Sequence, residues 1–263
     1  MKGYHGKRRK GISTSTIRAN ILRIDELPLA ELYELTFFQK QDLDKLKEFL
    51  EKRGKPFGIH LPFVFRYASV HPNPTSLDKT LRNDTYTVNI ESARFAKSFG
   101  AEYVVAHFPN AKQKEAWKDV YDIVIESLEH FYELNKIIET RLENVYMNDY
   151  FHSADDYLFV LKETGCTMCL DIGHLLIDSE IYAFDPVSFI EKLQDFITEF
   201  HIYYADLKTY EECHHAPWGD SLNFRRVLEV IKGFENVDFV AEPSNDCPNL
   251  LSRLIEFLEV MLR

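Results

Sequence analysis

The chain has 263 residues, 45% of them hydrophobic and 28% charged, which is enough to bury a large core. Its formal net charge of -11 disfavours a large nucleic-acid footprint, although a local basic groove or a bound metal can outweigh the global charge. Four cysteines, Cys166, Cys169, Cys213 and Cys247, are too few for a disulfide scaffold at this length, and no stretch reaches the roughly 18 apolar residues of a membrane helix.

Residues 1–10 carry Lys7, Arg8, Arg9 and Lys10 with no apolar core behind them, so they read as a flexible basic arm and not as a secretory signal. The protein is expected in the cytoplasm. The remaining chain, 11–263, reads as one domain. Short apolar runs predict strands at 11–16, 32–37, 57–61, 103–107, 140–145, 167–172, 200–204 and 239–242, eight in all. The first crossover, 17–29, is poorly helical and interrupted by Pro28, so it is expected to be short or irregular.

Helical periodicity covers 41–53, 77–99, 112–138, 154–164, 186–196, 222–231 and 249–262. Gly54, Gly100, Gly165 and Gly233 follow four of these as stop signals. Ser153 with Asp156 resembles a capping box, and Asp185 before Pro186 marks another start. Cys166 and Cys169 form a C-x-x-C, but residues three apart on a strand face opposite ways, which reads as ordinary buried thiols. Strand alternating with helix, with strands apolar on both faces, predicts a parallel sheet. Eight units predict a closed (β/α)8 TIM barrel of the α/β class.

The informative pattern is where polar residues fall. His60, His107, Glu143 and Asp171 lie near the ends of consecutive predicted strands, with His174 just beyond, His201 in the seventh and Glu242 at the end of the eighth. Strand C-termini of a barrel converge on one face, where active sites sit. Several carboxylates in one dry mouth imply a compensating cation. The loop after the seventh strand adds Cys213, His214 and His215, with Pro217 and Gly219 to turn it. The long loop 66–82, with Arg66, Tyr67, His71 and Pro72, could contact a substrate, and Phe37, Phe63, Phe65, Trp117 and Trp218 could line a pocket.

Leu142-Glu143-Asn144, Leu170-Asp171-Ile172-Gly173-His174 and His215-Ala216-Pro217-Trp218-Gly219, in this order, resemble the xylose isomerase-like TIM barrels. That superfamily contains sugar isomerases and epimerases and the endonuclease IV group. The resemblance runs from 11 to 242. In the epimerase branch it implies one metal held by Glu143, Asp171, a seventh-strand residue and Glu242. The endonuclease IV branch adds His60, His107, His174 and His215 for a multinuclear site. There are two departures. The family's seventh-strand His position is Tyr203 here, with His201 two residues earlier, so a bulge would be needed to bring His201 into place. An expected Asp is Cys213, a possible additional ligand.

The resemblance implies a divalent-metal-dependent sugar or sugar-phosphate isomerase or epimerase, working through an enediolate. Glu143 and Glu242 would exchange the proton, and His174, Lys208 and Trp218 would hold the substrate. One to three ions of Zn, Mn, Mg or Co are expected. Two alternatives stand beside it: an endonuclease IV-like phosphodiester hydrolase, and a metal-binding barrel without this catalysis. The partner is expected to be a carbohydrate or sugar phosphate, with no membrane. Oligomeric state is left open.

Overall fold

The computed structural model describes residues 8–64, 73–111, 113, 117–213, 215–217, 219–243 and 254–262. Eight strands alternate with helical segments. They are β1 (Arg9–Ser13), β2 (Leu32–Thr36), β3 (Phe57–His60), β4 (Tyr103–Phe108), β5 (Glu139–Asn144), β6 (Thr167–Asp171), β7 (Ile197–Ile202) and β8 (Asp238–Ala241). Each pairs in parallel with the next, and β8 returns to β1, so the sheet closes on itself. This is the expected (β/α)8 barrel.

Among the described residues the helices are α1 (Leu43–Arg53), α2 (Lys79–Phe99), α3 (Trp117–Ile137), α4 (Ala154–Thr164), α5 (Ile172–Ile181), α6 (Pro186–Leu193), α7 (Leu207–Glu212), α8 (Leu222–Ile231) and α9 (Leu254–Met261). The first crossover is two short 3-10 turns, Thr14–Ile17 and Ile21–Glu26, as its composition suggested. Ser153 and Asp156 form the reciprocal capping box on α4, and Gly165 ends that helix at φ 67°. Asp185 stands before Pro186 but makes no cap hydrogen bond; its carboxylate accepts from Ser188 and Arg226 instead.

Most boundaries differ from the pattern-based reading by one to three residues, and α5 and α7 are helices it did not predict; three differences bear on the site. β1 begins at Arg9, ahead of residue 11, because Arg9 is anchored by Asp238 at 2.6 Å and Glu102 at 2.6 Å. Lys10 is therefore also strand, while residues 1–7 lie outside the described residues. β7 runs Ile197–Ile202 and not 200–204, because α6 stops at Leu193 and leaves the preceding residues to extend. α5 starts directly after β6. Its residues from Ile172 to Ser179 are all buried, so it lacks the polar stripe that betrays a surface helix. Asp171 begins it by accepting from the His174 backbone N–H at 2.7 Å.

The lumen is layered. Leu32, Tyr103, Val105, Cys169 and Val240 form an apolar cluster of their own. Cys166 belongs to the outer core, so the two thiols of the C-x-x-C do face opposite ways, and both are free and buried. At the N-terminal end of the strands Arg141 bonds Asp238 at 2.7 Å and Glu199 at 3.0 Å, with its guanidinium 3.4 Å above the Tyr103 ring. Tyr103 donates its hydroxyl to Glu199 at 2.8 Å. Removing one partner of a buried pair strands the other. R141M is therefore expected to lose about 3–5 kcal/mol of unfolding free energy in urea denaturation.

Candidate metal centre

Six strands deliver ionisable side chains to the C-terminal mouth. His60 ends β3, His107 lies near the end of β4, Glu143 is on β5, Asp171 ends β6, His201 is on β7, and Glu242 follows β8. Glu143 is central. Its Oε2 is 2.7 Å from His60 Nε2 and 3.2 Å from His107 Nε2, and its Oε1 is 3.7 Å from His201 Nδ1. Glu242 Oε2 lies 3.0 Å from His201 Nδ1, while its Oε1 accepts from the Ser13 hydroxyl at 3.0 Å. Asp171 Oδ2 is 3.9 Å from His201 Nδ1.

A register shift brings His201 into this group. Met168 pairs with Ile197 but Cys169 pairs with Glu199, so Thr198 is an extra residue and His201 stands opposite Asp171. Tyr203 takes a different role. It stacks on His215 with ring centroids 3.8 Å apart and planes within 3°. It also lies so close to Gly173 that a Cβ there would meet its ring at 2.0 Å. Both seventh-strand candidates reach the acids: His201 through its ring nitrogens, and Tyr203 through a hydroxyl that contacts Asp171.

Charge in this mouth is crowded. Burial disfavours the Glu143 carboxylate, yet His107, His60 and His201 hold its pKa well below the usual range. Burial and then Glu143 push Asp171 well up. Burial opposes the His60 imidazolium, but Glu143 overrides it and raises the ring to about 9. His174 goes the other way, pushed down to about 3 chiefly by burial, so it is neutral near pH 7. Its Nδ1 lies 2.8 Å from the Asn144 carbonyl, an acceptor, so Nδ1 carries the proton and Nε2 remains the acceptor nitrogen.

Three groups of donor atoms among the described residues could hold a cation. The first is Glu143, Asp171, His201 and Glu242, the second is His60, His107 and Glu143, and the third, deeper in the lumen, is Cys169, Glu199 and His201; in each, the donor atoms lie within 4.8 Å of one another. Glu143 is common to the first two, and His201 to the first and third. Asp171 Oδ2 and His201 Nδ1 are buried with no hydrogen-bond partner among the described residues. Orphaned buried donors of mixed oxygen and nitrogen type, crowded by like charge, fit a divalent ion.

Above the donors lies a cleft of about 490 Å³ lined by both carboxylates, Glu143 and Glu242, and by His60, His107, His174 and His215. Phe37, Val145, Tyr146 and Tyr210 supply its apolar and aromatic wall. His215 Nδ1 is 3.0 Å from the Glu242 carbonyl. Lys208 is exposed on α7 and is not among the described lining residues, because the short helix carries it outward. Cys213 is disulfide-bonded, so it has no thiolate to offer as an additional ligand. Phe63 is core, not wall. Trp218, His214, Cys247, Phe65, Arg66, Tyr67, His71 and Pro72 lie outside the described residues, as does the side chain of Trp117.

The reading from sequence missed Ser13, Asn144, Tyr146, Tyr210 and Glu34. Asn144 had a signal in its adjacency to Glu143: it locks β5 to β6 by accepting the Asp171 N–H at 2.7 Å and donating to the Asp171 carbonyl at 3.1 Å. Glu34, in the middle of an apolar strand, also stood out as a polar interruption.

A family profile described as xylose isomerase-like TIM barrel matches residues 26–261. No curated protein matches the sequence. Among solved structures, a D-tagatose 3-epimerase-like protein is 22% identical with a TM-score of 0.71, covering 97% of this chain and 97% of its own. An L-ribulose 3-epimerase is 14% identical with a TM-score of 0.71, covering 97% and 94%. A xylose isomerase-like TIM barrel protein from Mycobacterium smegmatis, in complex with magnesium, is 15% identical with a TM-score of 0.61, covering 100% and 99%.

One titration near the cleft can be tested on stability alone. Asp178 on α5 accepts the Met147 N–H at 2.7 Å, beside the cleft residue Tyr146, and burial pushes it up to about 7. Its unfolded value is about 3.9, so between there and pH 7 the unfolded chain has lost a proton that the folded chain keeps, and stability falls as pH rises. D178N keeps an acceptor for Met147 without the buried charge. Its stability relative to wild type is expected to rise from pH 4 to pH 8 in denaturant titrations. The closed eight-stranded parallel barrel and the profile match over nearly the whole chain make this protein a member of the xylose isomerase-like TIM barrel family.

Proposed function

We propose that the protein is a divalent-metal-dependent sugar isomerase or epimerase in which Glu143 and Glu242 exchange a proton with the substrate. One observation carries this reading: Glu143, Asp171, His201 and Glu242 present donor atoms within 4.8 Å of one another, and two of these carboxylates line the cleft. The epimerases among similar structures support the same direction.

A divalent ion held by the four residues would polarise adjacent substrate oxygens and stabilise negative charge developing on them. β5 and β8 are separated by β6 and β7, so Glu143 and Glu242 reach the cleft from different sides. One carboxylate can remove a proton from the carbon next to a carbonyl and the other can return it at a new position or face. Ser13 fixes one Glu242 oxygen and His60 and His107 fix one of Glu143, so each carboxylate keeps a second oxygen toward the centre. Neutral His174, stacked on Tyr146 at 4.5 Å, would offer Nε2 to a substrate hydroxyl donor. Lys208 and Trp218 carry no part of this reading.

The expected outcome with a panel of sugars and sugar phosphates in deuterated water is incorporation of solvent deuterium next to the carbonyl of a converted substrate. E143Q and E242Q should each reduce that exchange by about 10²–10⁴-fold. Treatment with a chelator should abolish it, and Mn²⁺, Mg²⁺, Co²⁺ or Zn²⁺ should restore it. A metal-loaded wild type that exchanges no proton with any member of the panel contradicts the proposal.

The second group, His60, His107 and Glu143, favours a second reading, because two ions sharing Glu143 suit metal-assisted phosphodiester hydrolysis. Cleavage of an abasic-site duplex tests it. Metal binding with neither activity leaves a barrel that binds metal without this catalysis.

A further inference from the structure

Glu34 is a carboxylate with no part in the reaction outlined above. It sits on β2, fully buried, one layer below the mouth. Leu32, two residues earlier on the same strand, belongs to the apolar lumen cluster with Tyr103, Val105, Cys169 and Val240. A charge there is costly unless something needs it. Among the described residues its ion-pair partner is His201: Nε2 lies 3.2 Å from Oε1 and 3.3 Å from Oε2.

Glu199 and Cys169 also face that ring from the lumen. Glu199 Oε1 is 3.9 Å away and is already held by the Tyr103 hydroxyl at 2.8 Å, while Arg141 holds Oε2 at 3.0 Å. Cys169 contacts the same imidazole and forms, with Glu199 and His201, a further group of donor atoms, but Glu34 is the closest carboxylate to Nε2. The opposite ring nitrogen, Nδ1, looks to Glu242 at 3.0 Å, Glu143 at 3.7 Å and Asp171 at 3.9 Å. The imidazole is thus a spacer between two carboxylates below, of which Glu34 is the nearer, and three above.

We infer that Glu34 is a positioning residue for the metal centre: it accepts the Nε2–H of His201, fixes the tautomer, and leaves the Nδ1 lone pair for a divalent cation. A carboxylate behind a ligand histidine fixes ring orientation and raises ligand basicity, and losing such a partner typically costs about 10–100-fold in metal affinity. This rests on the reading that Glu143, Asp171, His201 and Glu242 hold a metal.

The test measures Zn²⁺ binding by calorimetry on wild type, E34Q and E34L, beside urea denaturation of each apo-protein. E34L removes the acceptor and is expected to bind Zn²⁺ about 10–100-fold more weakly, with the urea midpoint of its apo-protein reporting that it is folded. E34Q keeps an acceptor oxygen without the charge and should fall between. Folded E34L with wild-type affinity overturns the inference while leaving the metal site standing. A wild type that binds no Zn²⁺, Mn²⁺, Mg²⁺ or Co²⁺ overturns both.

Nitrogen-15 histidine spectra of Zn²⁺-loaded wild type supply a readout independent of mutant folding. The expected signature for His201 is a protonated Nε2 and a metal-shifted Nδ1. A metal-bound Nε2 overturns the assignment.

Discussion

The constraint that governs this molecule is the confinement of like charge inside a closed barrel. Glu34, Glu143, Asp171, Glu199, Asp238 and Glu242 are all buried in or at the end of one lumen. Carboxylates in such a space repel one another with little water to screen them. The chain relieves this differently along the axis. At the N-terminal end, Arg141 supplies a fixed positive charge to Asp238 and Glu199. Burial and then the nearby Glu34 push Glu199 up to about 8, so a proton removes further charge there near neutrality. At the C-terminal end the close partners among the described residues are histidines, which can exchange a proton for a cation.

That asymmetry gives the barrel a structural end and a chemical end. Arg141, stacked on Tyr103, has its charge fully committed. His201 is shared between layers, with Glu34 on one side and the mouth acids on the other. The bulge at Thr198 is the backbone device that permits it, because it rotates the last residues of β7 relative to β6. The same strand then packs Tyr203 on His215 and over Gly173, with its hydroxyl against Asp171. One inserted residue therefore sets His201 opposite Asp171.

Much of this was legible in the amino-acid order. Alternating apolar runs and amphipathic segments carry the parallel barrel, because a strand buried on both faces and a helix with one wet face have different periods. Glu143, Asp171 and Glu242 were readable because each interrupts or ends an apolar run where a charge is costly. Features without a local signature were not readable. α5 is buried from Ile172 to Ser179 and follows β6 without a break, so its start looks like an extension of that strand. Lys208 was plausible by its position after the seventh strand, yet α7 turns it outward. Cys213 was readable as a thiol, but whether a thiol is free depends on what approaches it across the fold.

The sequence by itself determined the class of fold, the end of the barrel that carries the polar groups, and the acids at its centre. These follow from periodicity and from the cost of burying charge, both of which act along the chain. Strand register and packing are what set His201 opposite Asp171, make Glu143 common to two donor groups, and place Glu34 behind the shared imidazole. Those relations join residues of different strands. They depend on register, and a shift of one residue in register, as at Thr198, leaves no mark in local composition.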